Sequence, residues 1–197
     1  MNKEFFILLG MLMVIGLGTA VIVFSHDDNR RKSPFEEVQH TVCLELHQKA
    51  VRYFIDRDYI EAENYLRRLL KISPEDRDVQ RFYGRILIVT GKVLEAEKLY
   101  RKMLSVNPLD WGAQNNLGVT LLLRHQYEAA LRELDRAARN DNARVFTEVN
   151  KEAANYAMEL LRGNKKFIFV MNDVKPSQAR NISIITLSAL EIQDNKL

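Results

Sequence analysis

Cysteine is almost missing from this chain of 197 residues: Cys43 stands alone. That excludes an internal disulfide and any zinc site built from several thiolates, and it suits cytosol and periplasm alike. An excess of one charge is also missing. Lys and Arg total 29 against 26 Asp and Glu, a net charge of +3, and no face gathers the Lys and Arg that nucleic-acid binders concentrate, so nucleic acid is excluded as a partner. Catalytic constellations are absent too. The four histidines, His26, His40, His47 and His125, form no set with a nucleophile or paired carboxylates at workable spacing. His40, Cys43 and His47 share a helical face, but they offer only three ligands on a surface needed for packing. Gly84, Gly91 and Gly118 sit at repeat positions rather than in a phosphate-binding loop. The expectation is a non-enzyme with no catalytic residue, metal or cofactor.

What is present is unevenly distributed. Residues 5–24 (FFILLGMLMVIGLGTAVIVF) contain no charged side chain, and as a helix they would be roughly 30 Å long, the thickness of a bilayer core. A cleaved signal peptide has a shorter apolar core behind a positive stretch, whereas here only Lys3, offset by Glu4, precedes it. The expectation is an uncleaved single-pass anchor. Arg30, Arg31 and Lys32 outnumber Lys3, so the positive-inside bias puts the soluble part on the cytoplasmic face of the inner membrane, with the periplasmic side as the alternative. Gly16 and Ala20 form a small-xxx-small pair that would let two spans approach, one route to a homo-oligomer. Residues 25–40, with Pro34, read as a juxtamembrane linker with a helix start after the proline.

From residue 43 onward the chain repeats every 34 residues. Ala62, Ala96 and Ala130 keep that spacing, as do Ala50, Gly84 and Gly118, and Pro74 and Pro108. Tyr53, Leu87 and Leu121 follow the same beat, as do Leu66, Tyr100 and Leu134. Small residues on the first helix of each unit face small residues on the second, which permits close approach. The large side chains fill the groove one turn on, and the prolines stop the second helix. Helices are expected near 43–56, 59–72, 77–90, 93–106, 111–124 and 127–140, in units of about 43–76, 77–110 and 111–144. A capping helix follows at 145–163, ending at Gly163. The C-terminal residues 164–197 break the beat with two apolar runs, Phe167 to Val170 and Ile182 to Leu187. They suit a short hairpin, a strand given to a partner, a tail packed into the groove, or a weakly ordered tail of irregular structure.

These residues resemble the tetratricopeptide repeat over 43–144. The departures are local: Gln80 and Gln114 stand where the family often has Trp, Lys49 where Leu is usual, and Asn142 where a closing proline is expected. The resemblance implies an all-α solenoid of three helix-turn-helix units plus cap, with a concave groove lined by the first helices. Mapped onto this chain, the groove is lined by Leu44, His47, Val51 and Phe54, then Asp78, Arg81, Arg85 and Ile88, then Asn115, Val119 and Leu122. The family's carboxylate clamp is not expected, because Val51, Phe82 and Gly112 occupy its polar positions. What remains is an apolar groove with one basic step, suited to an amphipathic or extended peptide bearing an acidic residue. Taken with the anchor expected at 5–24, the resemblance leads to the expectation of a membrane-anchored scaffold or adaptor that binds protein partners, within an envelope or secretion complex. The alternative is a tethered chaperone or co-chaperone holding an apolar client segment.

Overall fold

Each helix of the repeat array begins where an aspartate, a proline or a tight turn frees the first backbone amides to be satisfied without a preceding helical turn. The computed structural model describes residues 34–173 and 182–192. The anchor expected at 5–24 and the first part of the 25–40 linker lie outside the described residues, and so do 174–181 and 193–197 of the tail. Among the described residues no helix is long and apolar enough to cross a membrane. Residues Val38–Leu197 form one unit, Met1–Glu37 another, and the account below concerns the former.

The helices are α1 (Pro34–Ile55), α2 (Tyr59–Ile72), α3 (Arg77–Val89), α4 (Val93–Val106), α5 (Trp111–Leu123), α6 (Tyr127–Ala137) and α7 (Arg144–Arg162). Helix α1 starts at Pro34, inside the stretch read as a linker, since proline is well suited to a first helical position. Asp58, Asp76 and Asp110 cap α2, α3 and α5 with their carboxylates. The turn inside each pair is the same device three times: Arg57, Gly91 and His125, spaced by 34, all take positive φ. The next amide then reaches back to close the helix, from Asp58 to Tyr53, Lys92 to Leu87 and Gln126 to Leu121 at 2.7–2.9 Å. Helix α6 ends earlier than the expected residue 140. A 3-10 turn at Asp141–Ala143, capped by Asn140, leads into α7, which answers the missing proline at Asn142.

Packing follows the small and large columns. A methyl group added at Gly84 would fall within the Tyr100 ring, and one at Gly118 would lie 2.7 Å from Leu134 Cγ. Ala50, Ala62, Ala96 and Ala130 are fully buried beside Leu66, Tyr100 and Leu134. The two glutamines that replace tryptophan tie each loop down, with Gln80 Nε2 donating to the Pro74 carbonyl and Gln114 Nε2 to the Pro108 carbonyl, both at 2.6 Å. On the second helices an ion-pair motif recurs. Glu63 accepts from Arg67 and Lys92, and Glu97, again 34 residues on, accepts from Arg101 and Arg124. Burial raises the pKa of both carboxyls, but their cationic donors outweigh it, and each is held below the usual carboxylate value.

After α7 the chain turns at Asn164 into strand β1 (Phe167–Met171), which pairs antiparallel with β2 (Leu187–Glu191) in the register Phe169 opposite Ala189. The hairpin and the groove-filling tail, two of the arrangements expected for 164–197, coexist: β2 is preceded by residues 182–186, which run along the helices.

Two measurements test this packing. Replacing Gly84 with Val forces Tyr100 aside and is expected to lower stability by about 1–3 kcal/mol in chemical denaturation. Because Glu97 has a lowered native pKa, its contribution is present above the unfolded-state value and is lost as pH falls through the native one. The stability drop between about pH 5 and about pH 3 is therefore expected to be smaller in Glu97→Gln than in the wild type.

Candidate functional site

Because the concave face is built from α1, α3, α5 and α7, the side chains that the 34-residue beat points inward converge on one track. The sequence suggested an apolar groove there, available to a partner or to the chain's own tail. The structure shows the tail in it: residues 182–187 of the same chain lie along the track. Ile182, Ile184, Ile185 and Leu187 are buried, with exposures of 7% or less. Ile182 joins the apolar core that the first repeat shares with α3, beside Phe54, Phe82 and Ile86, while Ile185 and Leu187 join that of the later repeats and α7.

The tail is read through its backbone. Asn116, on α5, uses both ends of its amide: Nδ2 donates to the Ser183 carbonyl at 2.7 Å, and Oδ1 accepts from the Ile185 amide at 3.0 Å. Asn150, 34 residues later on α7, does the same one step on, donating to the Ile185 carbonyl at 2.9 Å and accepting from the Leu187 amide at 2.8 Å. Asn115 adds a bond to the Ile185 carbonyl at 2.9 Å, and its Oδ1 accepts from Asn150. All three asparagines are fully buried. The two amides thus grip alternate residues of an extended strand, as a neighbouring strand would.

Arg85 anchors the other end. Its Nη1 donates to the carbonyls of Ile182 and Ile184 at 3.2 and 3.0 Å, and its Nη2 to that of Asn172 at 3.1 Å. The guanidinium lies over the Phe54 ring at 5.0 Å and is 2% exposed. Burial draws its pKa down to about 10, since three carbonyl dipoles and a ring face stand in for a carboxylate. Burial likewise pushes the Tyr100 hydroxyl up, and that hydroxyl donates to the Arg81 carbonyl at 3.2 Å.

The expected groove residues divide into groups. Phe54, Arg85, Ile88, Asn115, Val119 and Leu122 are buried, whereas His47 and Val51 are only partly covered at the α1 end and Leu44 is half exposed. Arg81 is not a free basic step: its Nη1 binds both oxygens of Asp110 at 2.6 and 2.7 Å, and its Nη2 contacts Asp78. Asp110 thereby caps α5 and fixes Arg81 at once. Gly112 is small because Arg81 and Ile184 both lie against it, with Arg81 Cδ 2.8 Å and Ile184 Cδ1 2.9 Å from where a methyl group would sit. Asn116 and Asn150 are the functional residues that sequence reasoning missed. Their mutual spacing of 34 was the one available signal, and Phe82, one period before Asn116, breaks that column with an apolar residue. Cys43 sits 3.8 Å from the Ser73 hydroxyl, and no group of three His, Cys, Asp or Glu side chains among the described residues comes together to hold a metal.

The comparisons bear on the repeats alone. The tetratricopeptide-repeat family matches residues 48–105 and 89–144. No curated protein sequence matches the chain. Among solved structures, a mutant O-GlcNAc transferase of Thermobaculum terrenum is 17% identical, with a TM-score of 0.50 over 73% of this chain and 25% of that one. MamA from Desulfovibrio magneticus RS-1 is 20% identical with a TM-score of 0.44, covering 68% and 85%. This chain thus spans about a quarter of the transferase, whose likeness shows the fold and nothing of its activity.

Loss of Asn116 leaves two buried backbone groups without partners, each worth roughly 1–3 kcal/mol. Asn116→Ala is therefore expected to raise amide exchange at Ile185 and Leu187 at least tenfold, while the α4 and α6 amides keep their protection. Over the span 48–144 this chain is built of tetratricopeptide repeats.

Proposed function

We propose that the protein is a membrane-anchored scaffold that binds protein partners through extended segments laid along its concave track. Tetratricopeptide repeats are protein-interaction modules, and the observation that carries the finer reading is the occupied groove. Asn115, Asn116, Asn150 and Arg85 bind Ser183 and Ile182, Ile184 and Ile185 by main-chain atoms, so the track accepts any strand with apolar side chains at the matching positions. The chain's own residues 182–187 then act as an internal occupant with which a partner competes. The apolar run 5–24 supplies the anchor in this reading, and Arg30, Arg31 and Lys32 favour placing the repeats on the cytoplasmic face of an inner membrane, as part of an envelope or secretion assembly. Binding is the whole of the mechanism. A tethered chaperone is the second reading, favoured by the apolar pockets that hold Ile182 and Ile185.

A labelled peptide of sequence ISIITLSAL, residues 182–190, tests this in the detergent-solubilised full chain. Ile185→Asp is expected to expel the internal segment, so that the peptide binds this variant, fails to bind the wild type, and is lost again when Asn116→Ala is added. Equal binding to all three, or to none, would overturn the reading.

A further inference from the structure

The hairpin leaves one of its edges unused. The bonds at the ends of the ladder, from the Ile192 amide to the Lys166 carbonyl at 2.8 Å and from the Asn172 amide to the Thr186 carbonyl at 3.0 Å, turn the even-numbered residues of β1 toward β2. The amides and carbonyls of Phe167, Phe169 and Met171 therefore point away from β2. Among the described residues no backbone bond meets them there. Helix α7 packs chiefly against β2, and no residue of β1 is buried. On the outward face Ile168 and Leu190, opposite each other in the register, are 49% and 50% exposed, next to Val170 at 38% and Ile192 at 43%. A two-stranded sheet with an open apolar edge is a template for strand addition.

The sequence along that edge favours its own copy as the partner. Antiparallel pairing centred on Phe169 sets Phe167 against Met171, Ile168 against Val170, and Lys165 against Asp173, twice over. A parallel strand of the same sequence would instead oppose like charges. The present partners of these two charges, Glu191 for Lys165 at 3.1 Å and Arg57 for Asp173 at 3.5 Å, are exposed pairs of little energetic weight. We infer that β1 is a self-pairing surface, through which two copies join in an antiparallel four-stranded sheet ordered β2–β1–β1–β2. The pairing is two-fold symmetric and consumes the open edge of both copies, while β2 is flanked by α7, so assembly stops at two.

Ile168 and Val170 would form a non-hydrogen-bonded pair, with Cα atoms about 4.5 Å apart, within disulfide reach. The test uses the full chain in mild detergent with Cys43→Ser. Ile168→Cys and Val170→Cys chains are prepared separately and mixed, and mild oxidation is expected to yield several-fold more covalent dimer than either chain alone. A probe at the exposed Ile60 is expected to yield none. Phe169→Pro removes an edge donor without touching a ladder bond, and it is expected to halve the particle mass while the unfolding transition of the repeats persists. Cross-linking of the mixture no greater than that of the single chains would overturn the inference. So would a dimer that survives Phe169→Pro and cross-links through Gly16→Cys, because association would then run through residues 5–24.

Discussion

The constraint on which the rest depends is that a buried polar group must be satisfied. Arg85, Asn115, Asn116 and Asn150 line the centre of the concave face, where desolvation without a partner would cost each of them several kcal/mol. In an ordinary groove water would answer that need. Here the main chain of residues 182–187 does so for the asparagine amides and for Nη1 of Arg85, whose Nη2 turns to the Asn172 carbonyl and whose Nε stays without a partner, and it brings four apolar side chains with it. Burial of each is worth about 1.5–3 kcal/mol, a gain of the same order as the entropy lost in ordering the strand. The polar bonds therefore decide which register is adopted, since a slip of one residue would turn Ile185 out of its pocket and break both asparagine pairs.

The repeat was legible because packing imposes it. Ala62, Ala96 and Ala130 must be small wherever two helices cross closely, and Gly84 must make room for Tyr100, so the period is written in residue types that have little freedom. The helix limits near 59–72, 77–89 and 93–106 fell within a residue or so of those expected, because aspartate caps, positive-φ turns and prolines are local signals. The early end of α6 was foreshadowed by Asn142, where a proline is usual.

The site was legible only in part. Residues 182–187 carry an apolar pattern that fits several fates, and nothing local in them names α3, α5 and α7 as their partners; contacts such as Arg85 to Ile182 join residues nearly a hundred positions apart. Arg81 and Arg85 look alike in sequence, one turn apart on the same helix. Asp110 claims the first, and the second meets only carbonyls and the Phe54 ring, so one is a repeat-to-repeat lock and the other a strand clamp. Asn116 was hidden because Phe82, its counterpart one repeat earlier, is apolar.

The position of the tail in the chain has a consequence for biosynthesis. Residues 182–187 leave the ribosome after every repeat and after α7, so the helices that form the track are complete while its asparagines and Arg85 still face water. Until the tail is laid in, the track is unfilled, and its asparagines and Arg85 lack the main-chain partners that the folded chain gives them. A partner already waiting beside the ribosome would meet it without having to displace anything.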